Sequence, residues 1–105
     1  MVDDDRIREL EREIGSEDVA AIMALFVEEA SATIAKLAGG LEDADHARAI
    51  HFLRSGALNI GLTGFAREAE MAGDVSADSR PSAAAALRVA LDKTRAFLPR
   101  MSSVG

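Results

Sequence analysis

Cysteine, tryptophan and tyrosine are absent from this 105-residue sequence, and only four phenylalanines represent the aromatic residues. Without cysteine the chain has no thiol nucleophile, no disulfide and no thiolate ligand for zinc or an iron–sulfur cluster. No apolar stretch approaches the roughly 20 residues that a membrane-spanning helix needs, because charged residues interrupt every candidate. Only two prolines occur, and β-branched residues are sparse. These features favour an all-helical chain without thiol chemistry.

Basic residues are also few: the sequence has 12 Lys and Arg against 18 Asp and Glu, which gives a net charge of −6. This balance opposes binding to a nucleic-acid backbone or an anionic membrane surface. Residues 79–105 are locally basic, with Asp92 as the only acid, but they belong to an acidic protein. The N-terminus carries three aspartates where a secretory signal needs positive charge. We therefore expect a cytoplasmic protein with no nucleic-acid and no membrane partner.

Helical spacing and turn residues divide the chain into a short leader and four longer helices. Acidic residues open the leader, and glycines or prolines mark most of the later boundaries. The expected segments are a leader over residues 1–15, a helix capped by Ser16 and ended by Gly39-Gly40, a helix from Leu41 to about Ile60, a helix from Thr63 to about Gly73–Val75, a loop over Ser76–Ser79, and a last helix from Pro81 to Pro99, with residues 101–105 as a frayed tail.

Each segment carries an apolar stripe, and the connections between segments are short. Short connections favour antiparallel packing of successive helices. The sequence therefore predicts one all-α domain over residues 1–105, in which residues 16–100 form an up-down antiparallel four-helix bundle and the short N-terminal helix covers one end. A chain of this length can bury a sufficient core without a structural metal. The predicted inward residues include Ile7, Leu10 and Ile14 in the leader, Val19, Ile22, Met23, Phe26 and Ile34 in the second helix, and Phe65, Ala69, Leu87 and Leu91 in the last two.

His51 is predicted to lie on the outward side of the third helix, about 150° from the centre of its apolar stripe. Small residues, Ala47 and Ser55, stand four positions away on either side and leave room for a bulky partner group. Two guanidinium groups supply positive charge nearby, and two leucines place apolar surface on a side that is normally polar. The cations are Arg48 and Arg54, and the leucines are Leu58 and Leu62.

The other chemically interesting residues have structural explanations. His46 is five residues from His51, so the two lack the four-residue spacing of a helical metal site, and no metal site is expected; His46 should lie near the buried side at the helix start. Asn59 and Gly61 are typical of a helix end. Gly56 lies inside the helix, where it allows close approach of a neighbouring helix or of a partner backbone. Phosphate-binding loops and serine hydrolase motifs are absent from the sequence.

The run from Ala49 to Gly61 resembles the signature of histidine phosphotransfer (HPt) domains, commonly written H-x-L-K-G-x-x-x-N-L-G. The matching positions are His51, Leu53, Asn59 and Gly61. Arg54 replaces the usual lysine, Ile60 replaces leucine, and Ser55 stands where the family usually has glycine. The preceding helix is similar to the family pattern F-x-E-E…L-x-x-L through Phe26-Val27-Glu28-Glu29 followed by Ile34 and Leu37.

The resemblance implies a relay component of a multistep two-component phosphorelay. His51 would accept a phosphoryl group from a receiver-domain aspartyl phosphate and pass it to another receiver. Arg54 would neutralise phosphoryl oxygens, Ser55 would lie beside the phosphoryl group, and Arg48 would be a weaker cation. The expected partner surface comprises Ala47, Arg48, Phe52, Leu58 and Leu62.

The resemblance also implies what the chain itself does not supply. It needs no cofactor, because Mg²⁺ is expected only on the receiver domain, and it has no autokinase activity, because no nucleotide-binding domain is present. Its partners are response-regulator receiver domains, such as that of a hybrid histidine kinase, and a monomer is expected. The alternative from a different class is a non-catalytic helical interaction module, a degenerate HPt domain in which His51 is incidental.

Overall fold

Five α-helices and one short 3₁₀ turn make up the computed structural model, which describes residues 2–104 and their side chains as far as Leu98. No strand occurs in this range, so the predicted all-α class is confirmed. None of the helices within residues 2–104 is both long and apolar enough to cross a membrane. The helices are α1 (Asp4–Ile14), α2 (Ser16–Gly39), α3 (Asp43–Asn59), α4 (Thr63–Gly73) and α5 (Arg80–Val104), and the 3₁₀ turn (Ala77–Ser79) precedes α5.

The boundary between α1 and α2 depends on a glycine. Gly15 has φ 89°, a left-handed value that favours glycine, and its carbonyl accepts a hydrogen bond from the Val19 amide at 3.1 Å. Ser16 is the first residue of α2, and no side-chain hydrogen bond caps this helix. The predicted capping role of Ser16 is therefore wrong, because Gly15 already occupies the capping position.

The last helix is longer than predicted. Pro81 lies in its first turn as expected, but the helix continues past Pro99 to Val104. Proline lacks the amide that would bond to the preceding turn, yet its fixed φ is itself compatible with a helix. The predicted end at Pro99 and the frayed tail over residues 101–104 are therefore wrong, and Gly105 lies outside the described residues.

The longer helices contact one another in a ring. Helix α2 packs against α3, α3 against α4, α4 against α5, and α5 against α2, while α1 packs on α2. The faces that meet are the predicted apolar stripes, and most of the predicted inward residues are buried. Ile22 and Ile14 are corrections, since both are exposed. Ile22 lies at the edge of the α2 stripe beside the fully buried Met23, and Ile14 is the last residue of α1.

Helix α1 covers the C-terminal end of α3. The Asp3 amide donates to the Gly61 carbonyl at 2.8 Å, and the Arg6 Nε donates to the Asn59 carbonyl at 3.1 Å. Asn59 is the last residue of α3 and Gly61 lies just beyond it, so no intrahelical donor reaches these carbonyls. Gly61 has φ 80° and closes α3 as predicted, and a Cβ there would lie 3.0 Å from the Ile7 side chain.

Helices α2 and α3 approach each other closely where Gly56 faces Phe26. A Cβ at position 56 would lie 2.7 Å from the Phe26 ring. That ring is itself held between Phe52, at a centroid distance of 5.9 Å, and Phe65, at 6.0 Å. The sequence left open whether Gly56 allows close approach of a neighbouring helix or of a partner backbone. In this structure the close neighbour of Gly56 is a helix of the same chain, α2.

Candidate functional site

The His51 side chain is exposed on the outward side of α3, as its helical position predicts. Ile50 and Leu53, its neighbours on the opposite side of the helix, are buried in the core and fix the rotation of α3 about its axis. Among residues 2–98, no side chain forms a hydrogen bond or an ion pair with the His51 imidazole. The ring nitrogens are therefore accessible to a reagent from solvent.

A groove of about 440 Å³ opens beside His51 where α3, the end of α4 and the start of α5 meet. Gly73, at the end of α4, allows α3 and α4 to approach closely, since a Cβ at position 73 would lie 3.0 Å from Ile50 Cγ2. Charged residues dominate the walls, with both signs present. The residues that line the groove are Asp43, His46, Ala47, Ile50, His51, Arg54, Glu70, Gly73, Asp74 and Arg80.

Arg54 lines the same groove as His51, which is where the sequence places it. Its Nε lies 3.8 Å from Glu70 Oε2, too far for a hydrogen bond but close enough for an ion pair. The two side chains are 46% and 62% exposed, so solvent screens the attraction between them. Sequence reasoning missed Glu70, because it comes from a different helix and no spacing along α3 reveals it.

Ser55 and Arg48, the other two polar neighbours of His51 on its own helix besides Arg54, form hydrogen bonds within α3. The Ser55 hydroxyl donates to the His51 backbone carbonyl at 2.7 Å. The Arg48 guanidinium donates to Asp45 Oδ1 at 2.7 Å, and neither residue of that pair lines the groove. Arg54, rather than Arg48, is therefore the α3 cation that shares a cavity with His51.

His46 forms part of the groove wall and is buried, in agreement with its predicted position near the buried side. Burial lowers the pKa of His46 below its ordinary value of 6.5, the nearby Arg80 guanidinium lowers it further, and Asp43 acts in the opposite direction. Arg80 in turn donates to Asp43 Oδ1 at 2.9 Å. His46 is thus a neutral, structural residue at neutral pH.

The expected partner surface is exposed only in part. Ala47 is exposed and lines the groove, Leu58 is 42% exposed, and Phe52 is half-buried against Phe26. Leu62 is only 1% exposed, so its predicted place on this surface is wrong. The prediction extended the α3 periodicity too far: α3 ends at Asn59, and the turn at Gly61 directs Leu62 into the core.

Within the described residues, no three His, Asp or Glu side chains are grouped so that they could hold a metal ion. The chemistry that the groove offers is that of an accessible imidazole nucleophile with a guanidinium beside it. Comparison of the chain with protein-family models, with curated proteins and with solved structures finds no match.

Proposed function

We propose that this chain is a histidine-containing phosphotransfer protein of the HPt family, which carries a phosphoryl group on His51 between two receiver domains. The observation that carries the proposal is the exposed His51 imidazole, which shares a groove with the Arg54 guanidinium. The HPt-like run from Ala49 to Gly61 supports the same assignment. The exposed nucleophile and the adjacent cation are the two features that the transfer chemistry requires of the acceptor.

The transfer is a reversible displacement at phosphorus. An unprotonated imidazole nitrogen of His51 attacks the phosphorus of the receiver's aspartyl phosphate, an N–P bond forms, and the P–O bond to the aspartate breaks. The aspartate leaves as a carboxylate on the receiver, and the second ring nitrogen keeps its proton. The reverse reaction with another receiver returns the phosphoryl group to an aspartate. Arg54 stabilises the negative charge on the phosphoryl oxygens, and Mg²⁺ belongs to the receiver.

The up-down antiparallel four-helix bundle is part of this proposal. Its support is the closed ring of contacts from α2 through α3, α4 and α5 back to α2, together with the short connections. In this arrangement α1 is an accessory helix that packs on α2 and covers the end of α3. The protein would act as a cytoplasmic monomer.

The proposed receiver-binding surface surrounds His51 on α3. It comprises Ala47, Arg48, Ser55 and Leu58 with the exposed part of Phe52, and it excludes Leu62. An exchange partner needs an interface of modest area, because the complex must dissociate after each transfer. The chain has no autokinase activity in this proposal and depends on an upstream kinase, such as a hybrid histidine kinase with its own receiver.

Phosphotransfer from purified, phosphorylated receiver domains of the source organism tests the proposal. With Mg²⁺ present, at least one receiver should transfer to the wild-type chain acid-labile, base-stable phosphate that His51→Gln does not accept. His46→Gln is the matched control, because it removes the other histidine, and it should accept phosphate. Label that persists on His51→Gln, or a wild-type chain that no receiver phosphorylates, would overturn the assignment.

A non-catalytic interaction module is the second candidate, and the Arg54–Glu70 ion pair together with Ser55 at the usual glycine position favours it. Such a module would bind a receiver without accepting phosphate. A receiver that binds wild type and His51→Gln equally and transfers phosphate to neither would support this candidate over the relay.

A further inference from the structure

The groove beside His51 contains two arginines, and the structure holds them very differently. Arg80 donates to Asp43 at 2.9 Å, and its side chain is mostly buried. The Arg54–Glu70 pair is longer, at 3.8 Å, and both of its side chains are about half exposed. Long, solvated ion pairs contribute little free energy and exchange partners readily. Arg54 is therefore the more exposed of the two cations, and its ion pair is the one that a new anion in the groove displaces more easily.

Glu70 and a phosphoryl group on His51 would compete for this one guanidinium. Arginine binds carboxylates and phosphates with the same N–H donors, and a phosphoryl group carries more negative charge and more acceptor oxygens than a carboxylate. Glu70, Arg54 and His51 all line the same groove. A phosphoryl group on His51 would therefore attract Arg54 and repel Glu70.

We infer that Glu70 is a positioning residue, which holds Arg54 while His51 is unmodified and releases it to the phosphoryl group after transfer. This inference rests on the proposed function, because it needs a phosphoryl group on His51. Its consequence is that Glu70 opposes phosphorylation: the ion pair must be given up, and a carboxylate remains near the dianion. The phosphorylated form is thereby kept easy to discharge to the next receiver.

Phosphorylation by phosphoramidate tests the inference without any receiver. In this reaction the His51 nitrogen attacks phosphorus, the N–P bond of the reagent breaks, and ammonia leaves. Glu70→Gln should accelerate phosphorylation of His51 by about two- to five-fold, the range that corresponds to a surface ion pair. Tandem mass spectrometry assigns the phosphate to His51 rather than His46.

Glu68→Gln is the matched control, since it makes the same change on the same helix but lines a different groove. It should leave the rate within about 1.5-fold of wild type. The acceleration by Glu70→Gln should also decrease as salt is raised to about 1 M, because exposed charges are then screened. A purely structural role for Glu70 would not produce this dependence on salt.

A double-mutant cycle with Arg54→Gln shows whether Glu70 acts through Arg54. We expect the acceleration by Glu70→Gln to be clearly smaller when Arg54 is already absent, because only the direct repulsion between the carboxylate and the phosphoryl group then remains. An equal acceleration in both backgrounds, or none in either, would overturn the inference. The proposed function fails on a different result, namely that no phosphorylated receiver transfers phosphate to His51. Even then, a coupling between Glu70→Gln and Arg54→Gln in the phosphoramidate reaction would show that Glu70 controls Arg54.

Discussion

The Phe26 ring occupies the space that a side chain at position 56 would need, since a Cβ there would lie 2.7 Å from Phe26 Cε1. The ring cannot simply move aside, because Phe52 and Phe65 pack against it. This contact joins α2 to α3 about one and a half turns along α3 from His51, and it helps to hold the helix that presents the imidazole.

Gly56→Ala is therefore expected to destabilise the protein, although alanine normally stabilises a helix interior by about 1 kcal/mol relative to glycine. Overpacking against Phe26 should cost more than this gain and lower the free energy of unfolding by about 1–2 kcal/mol. Urea denaturation followed by circular dichroism measures the change.

Gly39→Ala is the control for that substitution, because nothing lies within 4 Å of a Cβ at position 39. It should be neutral or stabilising by up to about 1 kcal/mol. If Gly56→Ala were as stable as Gly39→Ala, the contact with Phe26 would not be what requires glycine.

Stability is expected to fall below pH 6.5 because of His46. Burial and Arg80 lower its pKa in the folded protein below the ordinary value of 6.5. The unfolded chain therefore binds the proton more readily, and the free energy of unfolding should decrease as the pH falls through 6.5 toward the folded-state pKa. Above pH 7.5 neither state is protonated at His46, so this contribution is constant.

Urea denaturation at several pH values between 7.5 and 5.5 measures this slope in wild type and in His46→Gln. The variant should have a smaller slope, whatever its stability at pH 7.5. The carboxylates and Arg80 that surround His46 are the same in both proteins, so equal slopes would assign the pH dependence to other groups. The carboxylates that share the groove with His46 are Asp43, Glu70 and Asp74.

Leu58→Asp should slow phosphotransfer from a receiver by about ten-fold or more, because it places a charge in the apolar part of the proposed interface. Leu58 is 42% exposed, so helical content should not change. Val89→Asp is the control, since Val89 is also exposed but lies on α5 at a different groove. If a receiver transferred phosphate to Leu58→Asp as fast as to the Val89→Asp control, Leu58 would not belong to the interface.

Ser55→Ala should leave the phosphotransfer rate within about two-fold of wild type. The hydroxyl donates its only proton to the His51 carbonyl, so it has none to offer a phosphoryl oxygen without breaking that bond. Ser55→Gly, which introduces the glycine usual in HPt domains, should lower the free energy of unfolding by about 0.5 kcal/mol through helix propensity. A large loss of transfer in Ser55→Ala would instead show that the hydroxyl contacts the reacting group.

The helices and most of the core follow from the sequence because each apolar stripe has a clear helical period. His51 is exposed and His46 buried for the same reason: helical geometry fixes their angular positions on α3 once Ile50 and Leu53 face the core. Leu62 shows where this reasoning stops, because periodicity holds only while the helix continues. Because α3 ends at Asn59, the Leu62 side chain points into the core and not outward as the helical period predicts.

The groove itself could not be predicted from the sequence. Glu70 and Arg80 come from α4 and α5, and their distances from Arg54 and Asp43 depend on how the helices pack. Likewise, the sequence does not show whether the Ser55 hydroxyl bonds to a carbonyl of its own helix or to a group outside it. Tertiary contacts of this kind determine which cation is available next to His51.

Gly73 and Ile50 approach each other so closely in the groove beside His51 that a Cβ at position 73 would lie 3.0 Å from Ile50 Cγ2. In the proposed relay, a β-branched residue at position 73 would displace Ile50 and so alter the groove for every receiver that exchanges phosphate with His51.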